Sequence, residues 1–120
     1  MKTNELEFIE IPELGIKITP KQQFNGKTYS EILEEVSESQ IATYEILQKL
    51  RNISFSSNWN KYPFMKSFWV FVPNPDELSK SVGNFAGFVA YSDRANLNCN
   101  WNPFNRGEYL GVFLYCPITE

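Results

Sequence analysis

The run FWVFV at Phe68–Val72 is the sequence feature that most restricts the fold of this chain. A strand with apolar side chains at every position has no face suited to water, so it has to lie inside a sheet with other elements on both sides. Pro73 and Pro75 follow directly, and proline cannot donate a hydrogen bond to a neighbouring strand. The run therefore predicts a central strand that is covered on both faces.

The segment Leu6–Ile18, with the sequence LEFIEIPELGIKI, alternates apolar and polar residues on either side of Pro12 and Gly15. Alternation with a period of two is typical of strands, whereas proline and glycine favour turns. We expect two short strands, or one bent strand, in this segment.

A first helix is predicted after a turn at Asn25–Lys27. Thr28 is suited to cap its N-terminus, because Glu31 stands three residues later, as in a capping box. Helical spacing turns one apolar face toward the core and several glutamates toward water. The apolar face consists of Tyr29, Ile32, Leu33 and Val36, and the glutamates are Glu31, Glu34 and Glu35.

A second helix is predicted after Thr43, which is the next candidate N-cap and places Glu45 in the positively charged first turn. Its inner side consists of Tyr44, Leu47 and Leu50, with Ile46 nearby. We expect this helix to end near Arg51 or Asn52, and the polar segment 54–64 to form a loop.

Three strands are predicted after the central one, at Asn84–Tyr91, Arg94–Asn100 and Tyr109–Pro117. The segment Asn74–Lys80 is a turn that can hold a single helical turn. The order of strands, two helices and several strands predicts the α+β class, with two short helices packed on a mixed, mostly antiparallel sheet. A length of 120 residues suits one domain, spanning residues 1–120.

Composition argues against several classes of function. Eleven lysines and arginines against fourteen acidic residues, with no basic run, provide no positively charged surface for nucleic acid. The absence of histidine removes the commonest general base and metal ligand, so we expect neither an enzyme nor a metal or cofactor site. No apolar run approaches the ~20 residues of a membrane span, and the start lacks a signal peptide, which predicts a cytoplasmic or virion-associated protein.

The segment Arg94–Asn100 has an unusual pattern, with asparagine at every second position from Asn96. Because side chains alternate across a strand, Ala95, Leu97 and Cys99 are predicted to face the core. The residues predicted to face outward are Arg94, Asn96, Asn98 and Asn100. These outward residues form either an ordinary solvated face or part of a recognition surface.

Aromatic residues near this segment favour the second interpretation. Tyr, Trp and Arg are common anchors of binding surfaces, and Asn is an adaptable hydrogen bonder. Between Tyr91 and Tyr109, aromatic residues are interspersed with charged ones in the same asparagine-rich stretch. The predicted ligand-binding residues are Tyr91, Asp93, Arg94, Asn96, Asn98, Asn100, Trp101, Phe104, Asn105, Arg106, Glu108 and Tyr109.

The stretch FVAYSDRANLNCNWNPFNRGEYLGVFL resembles the C-terminal part of the C-type lectin fold. The similarity is to the branch that contains formylglycine-generating-enzyme-like domains and the variable proteins of diversity-generating retroelements. Residues that look like the constant framework of that branch are Ala90, Ser92, Ala95, Leu97, Cys99, Pro103, Leu110, Gly111 and Val112. The resemblance implies a C-type lectin-like domain that presents changing residues between these positions to a protein or other surface ligand.

The same resemblance offers an explanation for the asparagines. In these retroelements an error-prone reverse transcriptase changes adenines, and adenine-rich asparagine codons yield many residue types without stop codons. A virus or a host that carries the retroelement is the implied source.

Two other functions remain open from the sequence. One is an enzyme, or a fragment of one, of the formylglycine-generating type that acts through Cys99, although the nearest other cysteine is Cys116, in a different predicted strand. The other is an assembly protein whose aromatic face forms an oligomer interface. The calcium-holding motifs of sugar-binding lectins do not continue here, because Trp101-Asn102 is followed by Pro103. Pairing of the two cysteines also stays open, with free thiols favoured.

Overall fold

The computed structural model describes residues 7–102 and 104–118. Three helices lie among them, at α1 (Tyr29–Leu33), α2 (Tyr44–Ser56) and α3 (Glu77–Ser81), with single 3₁₀ turns at Glu38–Gln40 and Pro63–Met65. The strands are β1 (Ile9–Ile11), β2 (Ile16–Ile18), β3 (Phe68–Val72), β4 (Phe85–Ala90), β5 (Ala95–Trp101), β6 (Leu110–Gly111) and β7 (Tyr115–Pro117).

The strands form two sheets, which confirms the α+β class but not a single sheet. A three-stranded antiparallel sheet has the order β1-β2-β7, and a four-stranded sheet has the order β5-β4-β3-β6. In the second sheet β6 runs parallel to β3, and the other pairs are antiparallel. β3 is therefore an interior strand, as its apolar run predicts.

The strand predicted at Tyr109–Pro117 is wrong as one element. It divides into β6 and β7, which belong to different sheets. Val112, Phe113 and Leu114 between them are buried, and the chain there makes single bridges, Val112 with Gln23 and Leu114 with Ile41. An apolar segment that crosses the core from one sheet to the other has the same composition as a continuous buried strand.

The N-terminal strand prediction is confirmed as two short strands, β1 and β2, joined by a turn that ends at Gly15. Gly15 has φ of +67°, a left-handed conformation that glycine adopts without steric cost. Leu6 lies outside the described residues.

The predicted start of α1 is confirmed, including both hydrogen bonds of the capping box between Thr28 and Glu31. The prediction for Leu33 is wrong, because its side chain is exposed. α1 has only five residues, and the face with Tyr29 and Ile32 is the one that packs on the sheet. Val36 lies beyond the end of α1 and is buried nonetheless.

α2 begins after Thr43 as predicted, but the predicted end near Arg51 is wrong, since the helix continues to Ser56. The polar segment after Arg51 stays helical because Ser54 is fully buried and its hydroxyl donates a hydrogen bond to the Tyr62 carbonyl, 2.7 Å away. Asn58 and Trp59 then have positive φ and end the helix.

The core lies on both faces of the four-stranded sheet. Phe68, Val70 and Val72 of β3 belong to the larger cluster, which includes residues of α2 and of the three-stranded sheet. Phe71, on the other face, belongs to a second cluster around α1. Trp69 shares that second face, but 46% of its surface is exposed. The prediction that β3 is covered on both faces is therefore correct at Phe71 and wrong at Trp69, because the short helix α1 does not reach that far.

Candidate functional site

The face of the four-stranded sheet that α1 only partly covers is here called the outer face. Its side chains form rows across the strands, because Trp69 is opposite Val89 and Val89 is opposite Asn96. The next row consists of Phe71, Gly87 and Asn98. The outer face thus divides into a covered half around Phe71 and an open half around Trp69.

The covered half is built from aromatic rings. Tyr29 of α1 packs against Phe71 and Phe85, with ring centroids 5.5 and 5.2 Å apart. Trp101 packs edge-on against Phe71 at 5.7 Å. A Cβ added at Gly87 would overlap the Trp101 indole, so the absence of a side chain at Gly87 makes room for this ring.

An irregularity in β5 turns Trp101 toward this face. Gly87 pairs with Asn98, and Phe85 pairs with Trp101. On β4 one residue separates the two paired positions, whereas on β5 two residues separate them, so β5 contains one extra residue. Such a bulge shifts the alternation of side chains by one position. Leu97 and Cys99 pack against the larger core cluster, as predicted. The prediction for Ala95 is wrong, because Ala95 at the start of the strand is exposed.

Polar side chains hold the bulge in place. The Asn98 Oδ1 atom accepts a hydrogen bond of 2.8 Å from the backbone N–H of Asn100. The buried side chains of Asn74 and Ser79 both donate to the Cys99 carbonyl, Asn74 at 3.1 Å. Asn100 accepts a hydrogen bond of 3.1 Å from Ser79. The Asn98 side chain therefore stabilises the backbone of the bulge, and the Asn100 side chain connects it to α3, although both residues are exposed.

The open half consists of three adjoining pockets that share Trp69. One, of ≈ 410 Å³, lies between Trp69, Trp101 and the loop 105–110. A second, of ≈ 430 Å³, is lined by Val89, Trp101 and residues of the β4–β5 hairpin. The third, of ≈ 340 Å³, lies between Trp69, Tyr109 and Gln22. Trp69 stands at the centre of this surface on an interior strand.

The structure brings most of the predicted site residues to these pockets. Those that line them are Tyr91, Arg94, Asn96, Asn98, Trp101, Asn105, Arg106, Glu108 and Tyr109. Three predicted residues lie elsewhere. Asp93 lines a separate pocket beside Arg51 and Trp59, Asn100 bonds to Ser79 of α3, and Phe104 projects into solvent.

The hairpin turn Tyr91–Arg94 forms one rim of the open half. The Tyr91 N–H donates to the Arg94 carbonyl at 2.7 Å and closes the turn. The Arg94 guanidinium lies 4.8 Å from the centre of the Tyr91 ring, a cation–π distance. The guanidinium of Arg51, from α2, donates to the carbonyls of both Tyr91 and Arg94.

The loop 105–109 forms the opposite rim and is held by the segment 22–26. The Gln22 side chain donates to the carbonyls of Trp69 and Tyr109, and the Asn25 side chain donates to the Glu108 carbonyl at 3.0 Å. The Gly26 N–H donates to the Gly107 carbonyl at 2.9 Å. These hydrogen bonds all end on backbone carbonyls of the rim or of β3.

Arg106 ties the same loop to α1 through an ion pair of 3.1 Å with Glu31. The Glu31 carboxylate also accepts a hydrogen bond of 2.8 Å from the Thr28 N–H. The Thr28 hydrogen bond, together with the charge of Arg106, lowers the pKa of Glu31. Both groups of the ion pair are partly exposed, so solvent screens it and its contribution to stability is small.

The described residues also include potential metal ligands and two thiols. Within residues 7–102 and 104–118, no three of the potential ligands His, Cys, Asp and Glu form a group that could hold a metal ion. Cys99 and Cys116 are free, and burial raises the pKa of the Cys99 thiol. A raised pKa leaves less of the reactive thiolate at neutral pH.

Comparison with protein-family models, with curated proteins and with solved structures finds no match to this chain. None of the helices in the described part of the chain is long and apolar enough to cross a membrane. The choice of a function therefore depends on the geometry and chemistry of the open half.

Sequence reasoning missed Trp69 and Val89 as site residues. Both lie inside apolar runs, which are typical of core strands. The available signal was the period of two along β3, since Trp69 faces away from Phe68 and Val70. What the period could not indicate was that α1 covers Phe71 and leaves Trp69 open.

Proposed function

We propose that this chain is a non-enzymatic ligand-binding module, a variable receptor-type protein that presents changeable residues on a C-type lectin-like scaffold. The observation that carries the proposal is the open half of the outer face, where Trp69 lies half-exposed between two rims rich in Asn, Arg and Tyr. Half-exposed aromatic rings surrounded by adaptable polar groups are characteristic of recognition surfaces.

The size of the open half favours a protein or other surface ligand. A pocket for a small molecule encloses most of its ligand in one cavity of roughly 300–1,000 Å³. Here three shallow pockets spread over the sheet on different sides of Trp69, and Tyr109 projects from one rim with most of its surface exposed. A broad partner can contact all three pockets at once.

The separation of this surface from the core supports the proposed variability. Asn96, Asn105, Glu108 and Tyr109 take no part in either hydrophobic cluster. Their loops are instead held by hydrogen bonds to backbone carbonyls. Side chains at these positions can change without removing the contacts that hold the fold.

The gene provides one decisive test of variability. The proposal predicts a near-copy of the Tyr91–Tyr109 coding segment close to a reverse transcriptase gene, with the two copies differing at adenines. A complete genome that contains neither the copy nor the transcriptase would overturn the retroelement part of the proposal.

A display library tests binding directly. Asn96, Asn105, Arg106, Glu108 and Tyr109 are randomised together and the library is selected against several purified proteins. A matched control library randomises five exposed positions elsewhere: Glu35, Glu45, Gln48, Lys49 and Glu77. The proposal predicts specific binders from the first library at a much higher frequency than from the second. Equal yields from the two libraries would contradict it.

Thiol chemistry tests the competing enzymatic function. The proposal predicts that Cys99 in the folded protein reacts with iodoacetamide far more slowly than in the urea-unfolded chain, because it is half-buried against the core and its pKa is raised. A Cys99 that reacts as fast as a free thiol near pH 7 would favour the formylglycine-generating type of enzyme.

A further inference from the structure

In the part of the chain that the structure describes, the side chain of Arg51 holds the turn Tyr91–Arg94 from outside the open half. Arg51 lies on α2 and does not line any of the three pockets around Trp69. Its Nη2 atom donates to the carbonyls of Tyr91 and Arg94, the second at 3.2 Å. These two carbonyls stand at the two ends of the turn, so one guanidinium fixes the width of its base.

The same guanidinium is itself anchored firmly. Its Nη1 atom donates to the carbonyls of Met65 and Lys66, at 2.9 and 3.1 Å. Trp59 packs on it with the guanidinium carbon 4.9 Å from the ring centre. Arginine has a planar, always charged group with donors in fixed directions, which suits four carbonyls on two chain segments. Lysine has a single nitrogen and cannot reproduce this pattern.

All four hydrogen bonds from the Arg51 guanidinium go to backbone carbonyls, and this determines the structural role that Arg51 can have. A side chain that bonds to carbonyls holds a turn in the same shape whatever side chains the turn carries. Ser92, Asp93 and Arg94 are exposed, and the ion pair between Asp93 and Arg94 is a surface contact at 3.6 Å. Exposed pairs of this kind contribute little to stability.

We propose that Arg51 is a positioning residue that fixes the backbone of the Tyr91–Arg94 rim independently of the side chains on that rim. The proposal deepens the function proposed above, on which it rests for its purpose: a rim with a fixed backbone can present different side chains without being redesigned. Gln22 and Asn25 make the equivalent contacts to the loop 105–109.

Amide hydrogen exchange of the full chain tests this role. The Tyr91 N–H closes the turn by donating to the Arg94 carbonyl, so its exchange rate reports how often the turn opens. In Arg51→Lys we expect the Tyr91 amide to exchange about tenfold faster or more, because charge-assisted hydrogen bonds to the turn are lost. The amides of the β3–β4 ladder should keep their wild-type rates. The control Lys49→Met, at an exposed position of the same helix, should change neither.

A second variant keeps the test informative even if Arg51→Lys does not fold. The double variant Asp93→Ala/Arg94→Ala removes the charged side chains of the rim and leaves Arg51 in place. We expect the Tyr91 amide to exchange within about threefold of the wild-type rate. A tenfold increase in this variant would overturn the proposal, because the rim would then depend on its own side chains.

Uniform acceleration of all amides in Arg51→Lys would also overturn the proposal, since Arg51 would then act only on global stability. The two proposals fail separately. If the exchange pattern is as expected but neither display library yields binders, the positioning role stands and the binding function does not. If binders appear but all amides exchange faster to the same extent, the binding function stands and the positioning role does not.

Discussion

The two halves of the outer face are made by the same strands and differ mainly in what lies above them. Phe71 and Trp69 are two positions apart on β3 and project to the same side, yet Phe71 is fully buried and Trp69 is 46% exposed. Tyr29 of α1 packs on Phe71 and Phe85, whereas Trp69 lies outside the cluster around α1. The difference between the two halves shows that one face of a sheet can be core where a helix covers it and an open surface where none does.

Replacement of these two rings should have the most unequal effects on stability. Phe71→Ala removes a fully buried ring and leaves a cavity beside Tyr29 and Trp101, which should cost about 3–5 kcal/mol of unfolding free energy. Trp69→Ala should cost about 1 kcal/mol, because half of the ring is already in water. Urea unfolding of both variants measures the difference. Equal losses would show that Trp69 belongs to the core.

Gly87 lies at the border between the halves. In Gly87→Ala the new methyl group overlaps the Trp101 indole, which has to move off Phe71. Overpacking of this kind should cost about 1–3 kcal/mol. The matched control is Gly107→Ala, where the nearest atom to a new Cβ is 3.8 Å away and little change is expected. Thermal unfolding of both variants tests this, and an unchanged midpoint for Gly87→Ala would contradict the packing of Trp101.

Two asparagines of β5 should differ although their exposure is similar. Asn98→Ala loses the hydrogen bond to the Asn100 N–H that supports the bulge, which should cost about 1 kcal/mol. Asn96→Ala should remain within about 0.5 kcal/mol of the wild type, as for exposed residues in general. The readout is again the free energy of unfolding. An equal and negligible cost for both would mean that the bulge does not need Asn98.

At low pH, protonation of Glu31 should weaken its ion pair with Arg106 and so loosen the loop 105–109. The pKa of Glu31 is lower in the folded chain than its ordinary value of 4.5, first because of the Thr28 hydrogen bond and also because of Arg106. A lowered folded pKa means that the stabilising contribution is present above pH 4.5 and is lost as the pH falls below it through the folded pKa. Glu31→Gln should therefore flatten the acid side of the stability profile. Glu35→Gln, at a nearby exposed glutamate, is the control, and a similar flattening in both would contradict this role of Glu31.

Much of the fold follows from local patterns in the sequence. Thr28 and Thr43 are helix caps because each accepts a hydrogen bond from the backbone three positions later, and such contacts depend on nearby residues alone. The end of α2 could not be predicted in this way, because a buried contact from Ser54 to the Tyr62 loop keeps its last turn helical. The division of the last strand likewise depends on which sheet each part meets.

The candidate site was predictable along β5 and in the loop after it, where the composition is unusual. Trp69 was not, because exposure on a sheet face depends on the reach of a helix that lies far away in the sequence. The bulge was also hidden, since it arises from pairing with β4 and from the contacts of Asn74 and Ser79 to the Cys99 carbonyl. Long-range contacts decide each of these features.

Simultaneous replacement of six residues of the open half and its adjoining loop tests the central claim most directly, namely that the open half is separate from the core. The variant combines Asn96→Tyr, Phe104→Ser, Asn105→Asp, Arg106→Ser, Glu108→Ser and Tyr109→Asp, and retains Trp69, Asn98, Asn100 and Trp101. Its chemical unfolding is compared with that of the wild type. We expect one cooperative transition, with a net loss below about 2 kcal/mol, because side chains outside both hydrophobic clusters contribute little to stability. Loss of the cooperative transition, or a loss as large as that of Phe71→Ala, would show that these side chains hold the fold together.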